Sequence, residues 1–376
     1  MNKKCPVYEK CGGCQYLHLS YDEQLSIKEK EITKLYGKKV VKPIVGMKDP
    51  YHYRHKVYAS FMQDKKGMIH AGLFEEDTHH VIKTRDCLIQ NEHANHIIQT
   101  IVDWANAFHI QAYDEDTKKG ILRHVYIRTS HYYKEVLVTI IIGPKELPKA
   151  KVLVSQLTKN HPDIKTIILN YNDRSTSQVL SSKEKVLYGD GTIKDSLLGY
   201  DFLIGSQSFY QVNPIQTEIL YTVAINQAKI TKDDFVLDAC CGLGTISICA
   251  SKYAKHVIGV EQSKQAISLA KQNAKLNHVK NVSFYAMDIE EFLYEIDEKF
   301  DVIILDPPRS GMTKKSIQEL QRLKPNRIIY ISCYPETQKR DCIQLKGYQI
   351  ESVTPVDLFP WSKHVETVVK LVKEES

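Results

Sequence analysis

The sequence predicts an α/β protein of two domains. A β-rich α+β domain over residues 1–200 precedes a doubly wound, mostly parallel sheet with an antiparallel edge over residues 201–376. Three observations predict this: a length of 376 residues, strand-like runs broken by turns from about residue 50 to 200, and apolar strands alternating with helical stretches thereafter. In such parallel sheets, ligands bind beyond the carboxyl ends of the strands.

The first predicted element is a helix near residues 20–36. Ser20 and Glu23 form an S-x-x-E capping box, and Gly37 supplies the stop. This helix could pack on the second domain. Strand patterns in the β-rich region lie at residues 124–130, 135–142 and 166–172.

Seven strand-like segments form the predicted second sheet. They occupy residues 235–242, 256–263, 281–289, 300–308, 327–333, 348–356 and 364–373. The last two are close enough in sequence to pair as a hairpin, which gives the antiparallel edge.

Composition places the chain among globular proteins. It is 43% hydrophobic and 26% charged, and no run reaches the ~18 apolar residues of a membrane span. The N-terminal MNKKCPVYEKCGGC lacks the apolar core of a secretory signal, so we predict a cytoplasmic protein without a membrane partner. Its nine cysteines are then expected to be free, catalytic or metal-bound.

Positive charge is concentrated near the N-terminus. Residues 1–90 contain 16 Lys and Arg against 11 Asp and Glu, which accounts for +5 of the net charge of +6. Cations interleaved with rings, as in YHYRHK, suit a nucleic acid, although a solvated basic surface fits the composition equally well. The candidate phosphate contacts are Arg54, Lys56, Arg123 and Arg128.

DACCGLGT, at residues 238–245, lies where the first strand of the second sheet meets its helix. Gly242 and Gly244 allow close approach of a ligand, but the third glycine of the dinucleotide motif is absent. Glu261 ends the next strand, where a carboxylate can bind the hydroxyls of a ribose. A ligand with ribose but no pyrophosphate, S-adenosylmethionine, fits this loop better than NAD. Asp288 is then placed to meet the adenine amino group; both acids could instead be ordinary helix caps.

LDPPRSG, at residues 305–311, ends the fourth strand. Two prolines fix the backbone after Asp306, so this carboxylate is held rigidly over the predicted cleft. DPP followed by an aromatic residue would indicate methylation of an amino group, but Arg309 stands in that place. The amino-directed interpretation is weakened accordingly.

Cys333 ends the fifth strand on the same edge, and Glu366 begins the last strand. A thiol and a carboxylate beside a methyl donor can methylate a carbon that is not itself nucleophilic. The thiolate adds to C6 of a pyrimidine, C5 attacks the methyl group, and a base removes the C5 proton. A buried structural cysteine is the alternative.

These motifs, together with SFYQVNP at residues 208–214, resemble in order and spacing the RNA uracil-C5 methyltransferases that form 5-methyluridine. The resemblance implies a Rossmann-like methyltransferase domain, with Cys333 as nucleophile and Glu366 as the base. It further implies cofactor or base contacts at Gln211, Glu261 and Asp306, and S-adenosylmethionine contacts at Cys240, Thr245 and Asp288. Cys240 departs from the family, which usually has an aromatic residue there.

Cys5, Cys11 and Cys14 have the spacing C-x5-C-x2-C, and Cys87 follows in KTRDCLIQ. Four thiolates could hold zinc or a cubane cluster, and the spacing alone does not choose between them. CPVYEKCGGCQYLHLSYDEQ resembles the [4Fe-4S]-binding segment of the ribosomal RNA members of the family. That resemblance implies a 23S ribosomal RNA substrate and a member without an N-terminal TRAM module. Amino-directed methylation and a noncatalytic iron-sulphur RNA-binding protein are the two competing predictions.

Overall fold

The computed structural model describes residues 3–75, 78–174 and 178–374. The chain forms two compact units. The first comprises Met1–His18, Asp49–Ser196 and Leu203–Gln207, and the second comprises Leu19–Lys48, Leu197–Phe202 and Ser208–Ser376.

Helices and strands are numbered in chain order. The helices in the described ranges are α1 (Tyr8–Cys11), α2 (Tyr21–Tyr36), α3 (Glu92–Ala107), α4 (Ala150–Asn160), α5 (Pro214–Ala228), α6 (Thr245–Ser251), α7 (Lys264–Leu276), α8 (Ile289–Glu295), α9 (Lys314–Leu323) and α10 (Pro335–Gln344). The strands are β1 (Lys56–Gln63), β2 (Ile69–Phe74), β3 (Val81–Lys83), β4 (Leu122–Thr129), β5 (Val136–Ile142), β6 (Ile164–Tyr171), β7 (Glu184–Tyr188), β8 (Thr192–Leu197), β9 (Tyr200–Gly205), β10 (Phe235–Ala239), β11 (His256–Glu261), β12 (Val282–Ala286), β13 (Val302–Leu305), β14 (Arg327–Ser332), β15 (Tyr348–Val356) and β16 (Glu366–Lys373).

The first unit is built on a mixed sheet in the order β3-β2-β1-β4-β5-β6-β7. Its pairs are antiparallel except for β5 and β6, which run parallel and are connected through α4. Every residue of β5 is buried, and the apolar faces of α3 and α4 contribute to the same core. The sequence predicted this β-rich region from its apolar runs.

One predicted phosphate contact in this unit is wrong. The Arg123 side chain is buried and forms two hydrogen bonds with the Glu115 carboxylate, Nε to Oε1 at 2.6 Å and Nη2 to Oε2 at 2.8 Å. Its Nη1 also donates to the backbone oxygen of Asn172 at 2.9 Å. A guanidinium satisfied in this way holds the fold together and is not available to RNA.

The second unit has a sheet in the order β12-β11-β10-β13-β14-β16-β15. The first five of these strands are parallel; β16 pairs antiparallel with β14, and the edge strand β15 pairs antiparallel with β16. This is the doubly wound sheet with an antiparallel edge that the alternation of strands and helices predicted. The strand order reverses beside β10, and a ligand site is expected at the carboxyl ends there.

Helix α2 belongs to this second unit, although the predicted boundary at residue 200 places it in the first domain. The capping box is present as predicted: the Glu23 backbone N–H donates to Ser20 Oγ, and the Ser20 backbone N–H donates to the Glu23 carboxylate. After the helix, Val41 and Val45 form bridges with Val353 and Val356 of β15. These contacts join residues some 300 positions apart, which no local sequence pattern reports.

A buried ion pair ties α2 to the loop before β16. Lys28 Nζ donates to Asp357 Oδ1 at 2.6 Å and to the backbone oxygen of Phe359 at 3.1 Å, and both charged side chains are fully buried. In the same loop Trp361 has φ of 68°, and its N–H donates to Gln24 Oε1 at 2.8 Å. Since removing one partner of a buried pair costs about 3–5 kcal/mol, this network fixes the loop that leads into β16.

Within the described ranges, no helix has the length and apolarity required to span a bilayer.

Candidate active site

The predicted site residues of the second unit meet at one edge of its sheet. Glu261 ends β11, Asp306 follows β13 and Cys333 follows β14, and these three strands run parallel. Because β16 runs antiparallel to β14, its first residue, Glu366, lies at the same edge. The register confirms this geometry, since Ser332 pairs with Thr367 immediately beside Cys333 and Glu366.

The glycine-rich loop turns sharply after β10. Gly242 and Gly244 have φ of 53° and 78°, and a Cβ atom added at Gly244 would lie 2.7 Å from the Phe284 ring. Cys240 adopts φ of 80°, which is unusual for a residue with a side chain, and its N–H donates to the Val260 oxygen at 2.9 Å. The loop is therefore held in a strained conformation against β11, as expected where a backbone must approach a ligand.

Carboxylates surround the Cys240 thiol. Burial, followed by the charges of Asp306, Asp238, Glu261 and Asp288, raises the pKa of Cys240. The residues predicted to contact S-adenosylmethionine at this end of the sheet therefore influence one another electrostatically. The Cys240 thiol among them stays protonated and neutral. Asp306, Glu261 and Asp288 were predicted site residues, whereas Asp238 was not.

Asp238 is fully buried at the end of β10. Its Oδ2 accepts a hydrogen bond of 2.5 Å from Ser247 Oγ, and its Oδ1 has no hydrogen-bond partner among the described residues. Burial raises its pKa to about 7. An acid at the start of the glycine-rich loop DACCGLGT was the available sequence signal.

Three of the residues predicted to contact the ligand also have hydrogen-bond partners within the protein. Glu261 Oε1 accepts from the Ser263 backbone N–H at 2.9 Å, and Asp288 Oδ1 caps α8 by accepting from the Glu290 N–H at 2.8 Å. Thr245 is the first residue of α6, and its hydroxyl lies 3.3 Å from the hydroxyl of Tyr221. The helix-cap alternative thus holds for Asp288, and it does not exclude a ligand contact through the same carboxyl group.

Gln211 lies in the segment between β9 and α5, outside the parallel strands whose ends carry Glu261, Asp306 and Cys333. Its side chain is only 8% exposed. Asn213 is the N-cap of α5, and its side-chain oxygen accepts a hydrogen bond from the Gln216 N–H. The side-chain amide of Asn213 donates to the backbone oxygen of Leu358. The segment containing Gln211 is therefore anchored to the same loop that precedes β16.

The loop after Asp306 is held by the helix that follows Cys333. Thr337 Oγ1 donates to the Arg309 oxygen at 2.9 Å, Arg340 Nη2 donates to the Ser310 oxygen at 2.9 Å, and Asp341 Oδ2 accepts from the Met312 N–H at 2.7 Å. Helix α10 thus fixes the Asp306 loop relative to the nucleophile candidate that precedes it.

Cys333 is half-buried in a group of charged side chains. Burial and the Glu366 carboxylate raise the pKa of its thiol, while a hydrogen bond and the positive charge of Arg309 lower it, and Asp306 raises it further. From the sequence, Arg309 was noted only because it stands where an aromatic residue would follow DPP, and no role was predicted for it. The structure shows that it supplies positive charge to the thiol and to the carboxylate beside it.

Glu366 is 4% exposed. Burial and the charge of Asp306 raise its pKa well above the ordinary value, and Arg309 opposes that rise. Burial and Asp238 raise the pKa of Asp306 to about 7. This site therefore brings together a half-buried thiol and two buried carboxyl groups of raised pKa that influence one another, the set of groups needed for nucleophilic addition and proton removal.

The four predicted metal ligands meet in the first unit. Cys5, Cys11, Cys14 and Cys87 line one cavity of about 330 Å³. Burial and the proximity of the other three cysteines raise the pKa of Cys14 to about 12. Among the described residues, no group of three or more His, Cys, Asp and Glu is arranged to hold a single metal ion.

Comparison with known proteins places these features in context. The sequence profile described as tRNA (uracil-5-)-methyltransferase matches residues 20–374. An uncharacterized RNA methyltransferase of Halalkalibacterium halodurans is 40% identical over 98% of this chain and 82% of its own length, and one of Clostridium tetani is 39% identical over 97% and 81%.

Structural comparison agrees with the sequence matches. The crystal structure of Pyrococcus abyssi tRNA (uracil-54, C5)-methyltransferase, in complex with S-adenosyl-L-homocysteine, has a TM-score of 0.81 and 27% identity to this chain. The match covers 98% of this chain and 87% of that one.

Proposed function

Because the chain belongs to the tRNA (uracil-5-)-methyltransferase family and methylates carbon 5 of uracil in RNA with S-adenosylmethionine as methyl donor, we propose that its substrate is a uridine of 23S ribosomal RNA. The observation that carries the choice of RNA is the cavity lined by Cys5, Cys11, Cys14 and Cys87. These cysteines resemble the cluster-binding segment of the ribosomal RNA members. Transfer RNA is the second candidate, favoured by the similarity to the Pyrococcus abyssi enzyme.

The residues at the sheet edge fit the methyl donor, which supplies an electrophilic methyl group when bound. Gly242 leaves the backbone open to a ligand, since no atom lies within 4 Å of the place that a Cβ would take, and Gly244 lets the loop pack against Phe284. Glu261 is placed to accept hydrogen bonds from the ribose hydroxyls. Further contacts are assigned to residues on the same edge or beside it, namely Gln211, Cys240, Thr245, Asp288 and Asp306.

Cys333 and Glu366 then carry the chemistry on the base. The Cys333 thiolate forms a bond to C6 of uracil, and the electrons of the C5–C6 double bond move toward the O4 carbonyl. The resulting enolate uses C5 to form a bond to the methyl group of S-adenosylmethionine, the bond between that methyl group and the donor's sulfonium sulphur breaks, and the donor leaves as the neutral thioether S-adenosylhomocysteine. Glu366 takes the proton from C5, the double bond re-forms, and the bond between Cys333 Sγ and C6 breaks.

Asp306 and Arg309 assist from the loop after β13. With a pKa of about 7, Asp306 is partly protonated at neutral pH and can donate a hydrogen bond to a uracil carbonyl. The Arg309 guanidinium stabilises the thiolate before attack and after expulsion. The placement of Asp306 and Arg309 depends on the hydrogen bonds that α10 makes to the loop after β13.

Replacing Arg309 by methionine is expected to move the acid limb of the kcat/KM profile to higher pH. Cys333 and Glu366 both act deprotonated, and both have pKa values raised by burial, so activity is lost as pH falls through those values. Because Arg309 lowers the pKa values of Cys333 and Glu366, its removal raises both values. Activity is then lost at a higher pH. Methylation of an RNA hairpin measured across pH tests this expectation. Arg309→Lys should lie between the two profiles, whereas an unshifted acid limb in Arg309→Met would contradict the assignment.

The cysteine cavity fits a [4Fe-4S] cluster better than zinc. Zinc–sulphur bonds of 2.3 Å would draw four thiolates to within about 3.8 Å of one another. No single-ion arrangement of this kind exists among the described residues, whereas all four cysteines line one cavity of about 330 Å³. Arg54 also lines the cavity; its buried Nε has no hydrogen-bond partner among the described residues, and its charge lowers the pKa of Cys14. A thiolate-bound cluster would give that donor a partner.

Cys14→Ser is expected to remove the iron and acid-labile sulphide of the anaerobically purified protein and to weaken RNA binding by about tenfold, because the cluster would shape the basic surface. Binding of S-adenosylmethionine should be unchanged. Iron analysis and RNA titration test this, with Cys249→Ala, a buried cysteine in α6, as control. Stoichiometric zinc in the native protein, or full RNA affinity in a stable cluster-free variant, would contradict the proposal.

The target uridine is expected in a loop, since extracting a base from a helical stack costs a few kcal/mol. Mapping 5-methyluridine in the ribosomal and transfer RNA of cells that lack this chain tests the choice of substrate. Loss at one or more 23S positions supports the proposal. Loss confined to transfer RNA would establish the second candidate.

A further inference from the structure

A basic groove lies on the second unit, along the edge of its sheet. It has a volume of about 660 Å³ and is lined by the last turns of α7, the following turn and strand β12. Its cationic lining residues are Lys271, Lys275, Lys280 and the ionisable His278, all of them exposed. None of the residues of the proposed mechanism lines this groove.

The sequence around the groove contains no carboxylate. From residue 262 to 287, between Glu261 and Asp288, there are four lysines and one histidine but neither Asp nor Glu. The whole chain has 45 acidic residues in 376, so a segment of this length would carry about three by composition. Among the described residues, none of the three groove lysines forms an ion pair. A solvated helix usually alternates its charges, as α2 does with YDEQLSIKEKEITKLY.

The geometry of the groove suits a phosphate backbone. Lys271 and Lys275 lie one helical turn apart on α7 and project on the same face. Strand β12 is an edge strand, and Tyr285 on it is 45% exposed, so a ring lies beside the cations. Cations aligned with an exposed aromatic ring are the elements by which proteins bind RNA backbone and unstacked bases.

We propose that the groove formed by α7 and β12 binds the phosphate backbone of the RNA substrate at a second segment, away from the methylated uridine. The inference rests on the RNA substrate of the proposed function and deepens it. A large folded RNA offers such a segment, whereas a minimal hairpin that carries only the target uridine does not. The groove would raise affinity and orient the large RNA without taking part in methyl transfer.

The double variant Lys271→Glu/Lys275→Glu tests this proposal. Its affinity for a long RNA fragment that contains the mapped methylation site should fall about tenfold, and the slope of log K against log salt should fall by about one unit for each lysine. Methylation of the minimal hairpin and binding of S-adenosylmethionine should stay at native levels.

The matched control is Lys30→Glu/Lys34→Glu, which makes the same change at the same spacing on exposed positions of α2. It should leave the salt slope nearly unchanged. If the native protein and the groove variant have equal RNA affinity and equal salt slope, the proposal is overturned. That result is also the one expected if the groove binds an acidic protein and not RNA. An equal loss for the hairpin and the long fragment would also overturn it. Because hairpin methylation is measured separately, failure of the groove is distinguished from failure of the proposed function.

Discussion

Replacing Cys333 by alanine is expected to lower the rate of RNA methylation by about 10³-fold or more, because the proposed mechanism has no other route to an electron-rich C5. Uracil C5 is a weak nucleophile until a bond forms at C6. The thiol is half-buried; burial and Glu366 raise its pKa, and Arg309 opposes that rise, so Arg309 is the group that stabilises the thiolate before attack and after expulsion. Binding of S-adenosylmethionine should change little.

Single-turnover methylation of an RNA hairpin, with donor binding measured by calorimetry, tests this expectation. Cys342→Ala is the matched control, since Cys342 is a buried cysteine on α10 that takes no part in the mechanism. It should lower stability and leave the rate within about tenfold of native. Methylation retained in Cys333→Ala would contradict covalent catalysis and favour amino-directed methylation by the DPP motif.

Glu366→Gln is expected to block turnover after the first bond has formed. Glutamine has the shape of glutamate but cannot accept the C5 proton, so the methylated base remains attached to Cys333. The Glu366 carboxylate is buried, has a raised pKa and lies beside Cys333 in the strand register at this edge of the sheet. We therefore expect a fall of about 10²–10⁴-fold in rate, the range for a general base, together with an accumulated covalent complex.

A denaturing gel with labelled RNA measures that complex. A band of retarded protein should appear in Glu366→Gln with RNA and donor, and nuclease should remove it. Glu351→Gln, at an exposed position on β15 where the glutamate pairs with Lys370, is the control and should turn over normally without accumulating the band. Native turnover in Glu366→Gln, or a slow variant that never forms the complex, would rule out Glu366 as the proton acceptor.

Much of this site was predictable because parallel sheets bring strand ends together. Apolar runs ending in Glu261, Asp306 and Cys333 were enough to place these residues on one edge, and two closely spaced final strands placed Glu366 with them. The capping box of Ser20 and Glu23 was equally predictable from the sequence, since its two residues are only three positions apart.

Other features depend on contacts that local patterns do not encode. Lys28 pairs with Asp357 across 329 positions, whereas a lysine in the charged run KEKE of a helix is expected to be an exposed charge. Arg123 was predicted to contact phosphate, whereas in the structure it pairs with Glu115. Arg309 was recognisable only as a departure from an aromatic, because its effect on Cys333 arises from the folded loop.

Incubation with RNA that carries 5-fluorouridine at the target position tests covalent catalysis most directly. Fluorine at C5 leaves no proton for Glu366 to remove, so in the presence of S-adenosylmethionine the reaction should stop at a methylated adduct. Peptide mass spectrometry should locate that adduct on Cys333 and show the added methyl group. Absence of an adduct in an enzyme that methylates normal RNA, or attachment at a residue other than Cys333, would contradict the account.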